Sequence, residues 1–176
     1  ASSARRLTTP GALRIVKYLL LRPEDLDDIH IPLLLWWAIE SKVAKHTNDV
    51  LRLFEDKRVW ETRIVQQHIL HRLMRRLAQD DNRASLLACA KLLNLAPDKP
   101  SATALMKGFE AAYQGRSLTG LPKELVDAMV KTGGGSLALR VRQGQTKALQ
   151  QAISTVNNRK SKTSERARFI QLLSEV

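Results

Sequence analysis

The chain has 176 residues, 44% hydrophobic and 26% charged, with 29 Lys and Arg against 17 Asp and Glu and a formal net charge of +12. That balance excludes a disordered tail, which is poorer in apolar residues. One cysteine, Cys89, excludes an internal disulfide, a cysteine-rich metal site and haem attachment through a Cys-x-x-Cys-His motif.

Aromatic residues make up 5% of the chain, Gly and Pro are few, and Ala, Leu, Arg, Lys and Gln recur throughout. Alternating β-branched runs are nearly absent, so the expected fold is all-α. The positive charge rises along the chain, with net values of +2, +4 and +6 over residues 1–60, 61–120 and 121–176. Such a gradient fits nucleic acid, an acidic partner or an anionic surface, and equally a solvated exterior.

Gly11–Leu21 reads as a first helix, with Leu13, Val16, Lys17, Leu20 and Leu21 at helical spacing, ended by Arg22-Pro23. The acidic loop Glu24-Asp25-Leu26-Asp27-Asp28 leads to the densest apolar run, Ile29–Glu40. Pro32 suits a first helical turn, and His30 is a candidate cap. Leu33 to Ile39 is apolar without interruption. A helix of that kind is expected to be covered on several sides, with Trp36 and Trp37 in the structural core. The run is too short to span a bilayer, which needs about 20 apolar residues.

This second helix is expected to end near His46, and Thr47-Asn48-Asp49 to cap a short helix through Phe54. Glu61–Gln79 reads as the longest helix, with Val65, Ile69, Leu73 and Leu77 on its buried side and His68, Arg72, Arg75 and Gln79 on a basic solvent-facing edge. Asp80-Asp81-Asn82 closes it and caps Arg83–Ala96. Ser101 is read as the cap of Ala102–Gln114, whose buried side holds Leu105, Phe109 and Tyr113. Pro122 starts a helix to Lys131, and Gly133-Gly134-Gly135 is the strongest break. Leu137–Arg142 alternates like a strand, but no partner strand exists, so a short helix stopped by Gly144 is expected. Thr146–Asn158 follows, and Thr163 or Ser164 caps a last helix to Val176. That helix carries Ala167, Ile170 and Leu173 with nothing after it to cover them. With the absence of an initiating Met, this leads to the expectation of a fragment of a larger chain.

Helix-pair starts near Gly11, Thr47, Asn82 and Pro122 are spaced by 36, 35 and 40 residues. That period matches HEAT-type repeats, in which each two-helix unit buries its apolar face on its neighbours. The expectation is one HEAT-like α-α superhelix over residues 1–176, a right-handed solenoid of four to five antiparallel helix pairs.

Candidate chemistry is sparse. His68 and His71 stand three apart on one helix without a carboxylate at metal-ligand spacing, and His30 and His46 are isolated. Cys89 lies in the apolar run Leu86-Leu87-Ala88-Cys89-Ala90, company that suits an inert buried thiol. Glu40 is read as a paired acid, not a catalytic one, and the triple glycine lacks the strand and the Gly-Lys-Ser/Thr ending of a phosphate loop. The basic edge of His68, Arg72, Arg75 and Arg76, with Arg52, Lys57, Arg58 and Arg63 nearby, is the candidate interaction surface. Such a stripe suits a phosphate backbone without reading its sequence.

Asp28-Ile-His-Ile-Pro-Leu-Leu-Leu-Trp-Trp-Ala-Ile-Glu40, preceded by Leu21-Arg-Pro-Glu-Asp25, resembles the HEAT-like helical-repeat region of planctomycete-type membrane-bound dehydrogenase and c-type cytochrome multidomain proteins. Leu137-Ala-Leu-Arg-Val-Arg-Gln-Gly144 is similar to the same region, and the likeness extends over residues 10–176. The resemblance implies an extracytoplasmic setting, and it implies that dehydrogenase catalysis and haem binding belong to neighbouring domains. No haem ligand or propeller residue carries over to this sequence. The expected role is a non-catalytic scaffold contacting flanking domains or another protein, with no cofactor of its own. The alternative is a basic HEAT-like nucleic-acid-binding module.

Overall fold

The computed structural model describes residues 2–22, 26, 28–116, 118, 120–133 and 136–174. Most of the acidic loop (Pro23-Glu24-Asp25 and Asp27), Gly134-Gly135 of the triple glycine, and Glu175-Val176 at the expected end of the last helix lie outside them. The described residues form ten α-helices and no strand.

A 3-10 turn, Ser2–Arg6, precedes α1, Thr9–Leu20, which has Pro10 in its first turn and buries Ala12, Leu13, Val16 and Leu20. α2, Ile31–Arg52, is the longest element at 22 residues. Its cap is Asp28, not His30: the Asp28 carboxylate accepts from the backbone N–H groups of His30 and Ile31 at 2.7 and 2.8 Å. An anion there complements the positive helix end, and those two bonds hold the Asp28 carboxyl below its usual range. The expected boundary at His46 is present: two helices meet there across a kink, with His46 at the non-helical φ −136°, ψ 40°, and the second runs on to Arg52. Thr47 does not cap the second of these helices, because its Oγ1 donates back to the Val43 carbonyl at 2.6 Å.

A 3-10 turn, Leu53–Glu55, leads to the short α3, Lys57–Glu61, whose cap Asp56 accepts from the Arg58 N–H. The expected helix over 61–79 is built in two pieces. A π-helical turn, Val65–Ile69, runs straight into α4, Leu70–Gln79. Asp81 then takes a left-handed φ of 47°, and Asn82 caps α5, Arg83–Leu95, through the Ser85 N–H. α6 is Lys99–Ala112. Its cap is Asp98, not Ser101, because Pro100 fits inside the first turn and carries the helix start upstream. Leu105, Phe109 and Tyr113 are all buried.

α7, Lys123–Lys131, follows Pro122, and Ser136 caps α8, Leu137–Arg142. The alternating segment is therefore helical, and Gly144 stops it at φ 69°. α9, Thr146–Asn157, and α10, Thr163–Leu173, complete the chain. α10 buries Phe169 and Leu172, while Ile170 stays 56% exposed.

α2 runs back along α1, and the Lys42 ammonium donates to the carbonyls of Arg5 and Leu7 at 3.1 and 2.8 Å. α4 packs most extensively on α6, and α5 on α7. Within each pair the helices run the same way: Gly108 lies on His71, and Tyr113, further along, reaches Asp81. Likewise Arg83 meets Glu124 at 3.6 Å, where α5 and α7 both begin. One core runs from Ala4 to Leu139, and a smaller one joins Val141, Ala148, Ala152, Phe169 and Leu172 of α8–α10. The two adjoin through α8, whose Ser136 N–H donates to Glu110 at 2.7 Å. No helix among the described residues is long and apolar enough to cross a membrane.

Candidate interaction surface

The fold splits the two tryptophans of α2. Trp36 is 7% exposed and Trp37 45%, so Trp37 is not a core residue. Neighbours on a helix point about 100° apart. Leu35, Trp36, Ala38 and Ile39 lie on the covered arc and Leu33 and Trp37 on the opposite, exposed one, with exposed Ile29 just ahead of the helix. The apolar run is thus covered on one side only. The largest fully buried aromatic is Trp60, which the sequence pattern does not single out. Its Nε1–H donates to the Phe54 carbonyl at 2.8 Å, and its ring meets Phe54 edge-on at 5.3 Å.

The basic edge is also redistributed. Among its members Arg75 is exposed, whereas His68 and Arg72 are half-buried. The Arg72 guanidinium folds back and donates to the His68 carbonyl at 2.7 Å. Arg76 is paired with Asp80 one turn on. Arg52 is paired with Asp49 at 2.9 Å and Arg58 with Asp56 at 2.7 Å, so neither extends a free stripe. The bonds from Arg58, and then from Lys17 of α1 at 2.9 Å, hold the Asp56 carboxyl far below the usual range.

What replaces the stripe is a cluster around His71. α6 runs beside α4 and brings Lys99 and Lys107 to it across some thirty residues of sequence, and a cleft of about 650 Å³ opens between them. Its walls include Gln67 and His71 on one side and Lys99, Pro100, Ala104 and Lys107 on the other. Burial first, then the positive charge of Arg72, lowers the pKa of both His68 and His71; Arg75 and Lys107 push His71 further the same way. Both imidazoles are therefore neutral at pH 7. Gly108, a glycine inside a helix, marks in the sequence a close backbone approach, though not the helix that makes it.

Among the described residues no group of three His, Cys, Asp or Glu side chains is placed to hold a metal ion. Cys89 is fully buried, and burial pushes its thiol up to about 12. Compared with protein-family models, with curated proteins and with solved structures, the chain has no match in any of the three.

Proposed function

We propose that the chain is a non-catalytic helical-repeat scaffold, a HEAT-like right-handed α-α superhelix of four to five helix pairs that serves inter-domain or protein–protein contacts. The observation that carries this reading is the stacking of α4 on α6 and α5 on α7 in the same direction, the relation between equivalent helices of successive two-helix repeats. The accessible surface supports it: 10390 Å² for 19.8 kDa, against roughly 8,600 Å² for a compact chain of that mass. Exposed Leu33 and Trp37 on one arc of α2 offer apolar contact area of the kind interfaces use.

On the resemblance of residues 28–40, the same proposal has this scaffold serve within a larger extracytoplasmic chain with a dehydrogenase-like domain and a c-type cytochrome domain. Solution scattering tests the architecture. A radius of gyration clearly above the roughly 16 Å of a compact 176-residue chain is expected. A value at that figure overturns the superhelix, and haem absorbance or sugar-alcohol turnover by the chain alone overturns the non-catalytic role.

One observation favours a second reading, a nucleic-acid-binding module: Arg72, Arg75, Lys99 and Lys107 gather about His71 on one surface. Duplex DNA binding that falls steeply with salt, and that Arg75→Glu with Lys107→Glu weakens, would support it.

A further inference from the structure

The cleft between α6 and the π turn ahead of α4 has a cationic rim and an apolar floor, and no acidic side chain lines it. Lys99 and Lys107 are exposed. Neither has a carboxylate partner among the described residues, unlike Lys17, Arg52, Arg58, Arg76 and Arg83. Like charges held together without counterions favour an anionic occupant.

The floor decides which kind of anion. Pro100 and Ala104 give a phosphate backbone nothing to contact, and the one ring among the lining residues, the half-buried His71 imidazole, offers no row of aromatics on which successive bases could stack. An apolar side chain carried between two acids meets both floor and rim. Lys99 and Lys107 are eight residues apart on α6, about 12 Å along its axis. An extended peptide covers that distance in about four residues. Its residues i and i+4 then share a face with i+2 midway between them.

We infer that this cleft docks an extended acidic segment of a protein partner, with carboxylates four residues apart on Lys99 and Lys107 and an apolar side chain midway on Pro100 and Ala104. This rests on the scaffold reading and specifies the chemistry of its partner.

The test is fluorescence anisotropy on the full chain with a labelled extended peptide carrying two glutamates four apart and a leucine midway. The same peptide with serine for leucine, and a labelled DNA duplex, serve as comparisons. The leucine peptide is expected to bind tightest, with about a tenfold loss on the serine change, the size of burying one apolar side chain. Lys99→Glu with Lys107→Glu is expected to lower its affinity at least tenfold, on the order of two charge-assisted contacts. Both lysines lie outside the core, so an unchanged melting curve certifies that the variant is folded. Undiminished peptide affinity in that folded variant, or a duplex bound more tightly than the leucine peptide, overturns the assignment. Neither result touches the scattering profile on which the scaffold reading depends.

Discussion

Gly108 of α6 lies directly on the backbone of His71 in α4: a Cβ added there would press into the His71 carbonyl oxygen and stand 2.9 Å from its carbonyl carbon. A carbonyl inside a helix cannot rotate away as a side chain would. Two effects of Gly108→Ala therefore compete. Alanine favours an isolated helix by about 0.5–1 kcal/mol over glycine, while overpacking a close helix contact costs about 1–3 kcal/mol. The clash is expected to win, and chemical denaturation should show a net loss of about 1–2 kcal/mol. A stability gain would mean that α4 and α6 separate freely.

Trp60, Trp36 and Trp37 should respond very differently to truncation. Trp60 is 1% exposed, packs on Phe54 and satisfies its N–H within the core. Trp60→Ala is expected to cost about 3–5 kcal/mol, and Trp36→Ala somewhat less. Trp37→Ala should fall below about 1 kcal/mol, as for surface changes generally. Equilibrium unfolding of the three single variants orders them, and equal losses at Trp36 and Trp37 would contradict the one-sided burial of α2.

The helices themselves were legible because their signals are local. Pro10, Pro32, Pro100 and Pro122 stand at helix starts, Asn82 caps α5, and Gly144 stops α8. The expected break at His46 is there too, as the non-helical residue at which two helices meet across a kink. Partnership was not legible. A run apolar on every side, such as Leu33–Ile39, carries no mark of which arc a neighbour will cover. Nor does any local pattern join Lys99 and Lys107 to His71, since that depends on α6 lying alongside α4. Pairing within the basic edge was hidden for a related reason: the carboxylate beside an arginine in space decides whether it is free.

Tyr113 links the end of α6 to the left-handed turn after α4. Its hydroxyl donates to the Asp81 carboxylate, its ring stacks on Phe109 at 4.5 Å, and the Arg116 guanidinium lies 5.9 Å from its centroid. Burial, and next the Asp81 bond, push its phenol well above the usual range. Tyr113→Phe keeps the packing and removes the donor. Because Asp81 is exposed and can be rehydrated, the loss should be about 1.5–2 kcal/mol, the lower part of the range for bonds to charged groups. An ultraviolet titration of the folded protein should lack one early phenolate step that appears on unfolding.

Cys89 should resist thiol reagents in the folded chain. Its thiol is fully buried and pushed up to about 12, so at pH 8 almost no thiolate exists to react. Aromatic disulfide reagents are expected to label it only after denaturant is added, at the rate of global unfolding. Rapid labelling in native buffer would mean that α5 opens locally.

His68 and His71 set the stability profile in mild acid. Burial, followed by the charge of Arg72, holds both imidazoles below their usual value, and around His71 the charges of Arg75 and Lys107 act in the same direction. In the unfolded chain each titrates near 6.5. Well above that, both states leave the rings neutral and the histidines contribute no pH dependence. As the pH falls through about 6.5 the unfolded chain takes up protons that the folded chain resists, so stability decreases until the lowered folded values are passed. The Asp28 and Asp56 carboxyls, held low by their hydrogen bonds, lose their contributions only below about pH 4, outside that window. The melting temperature is therefore expected to drop between pH 7.5 and 5.5, and His68→Gln with His71→Gln to flatten the drop. A wild-type profile level across that range, or one unchanged in the double variant, would show that these imidazoles are as free to protonate as in the unfolded chain.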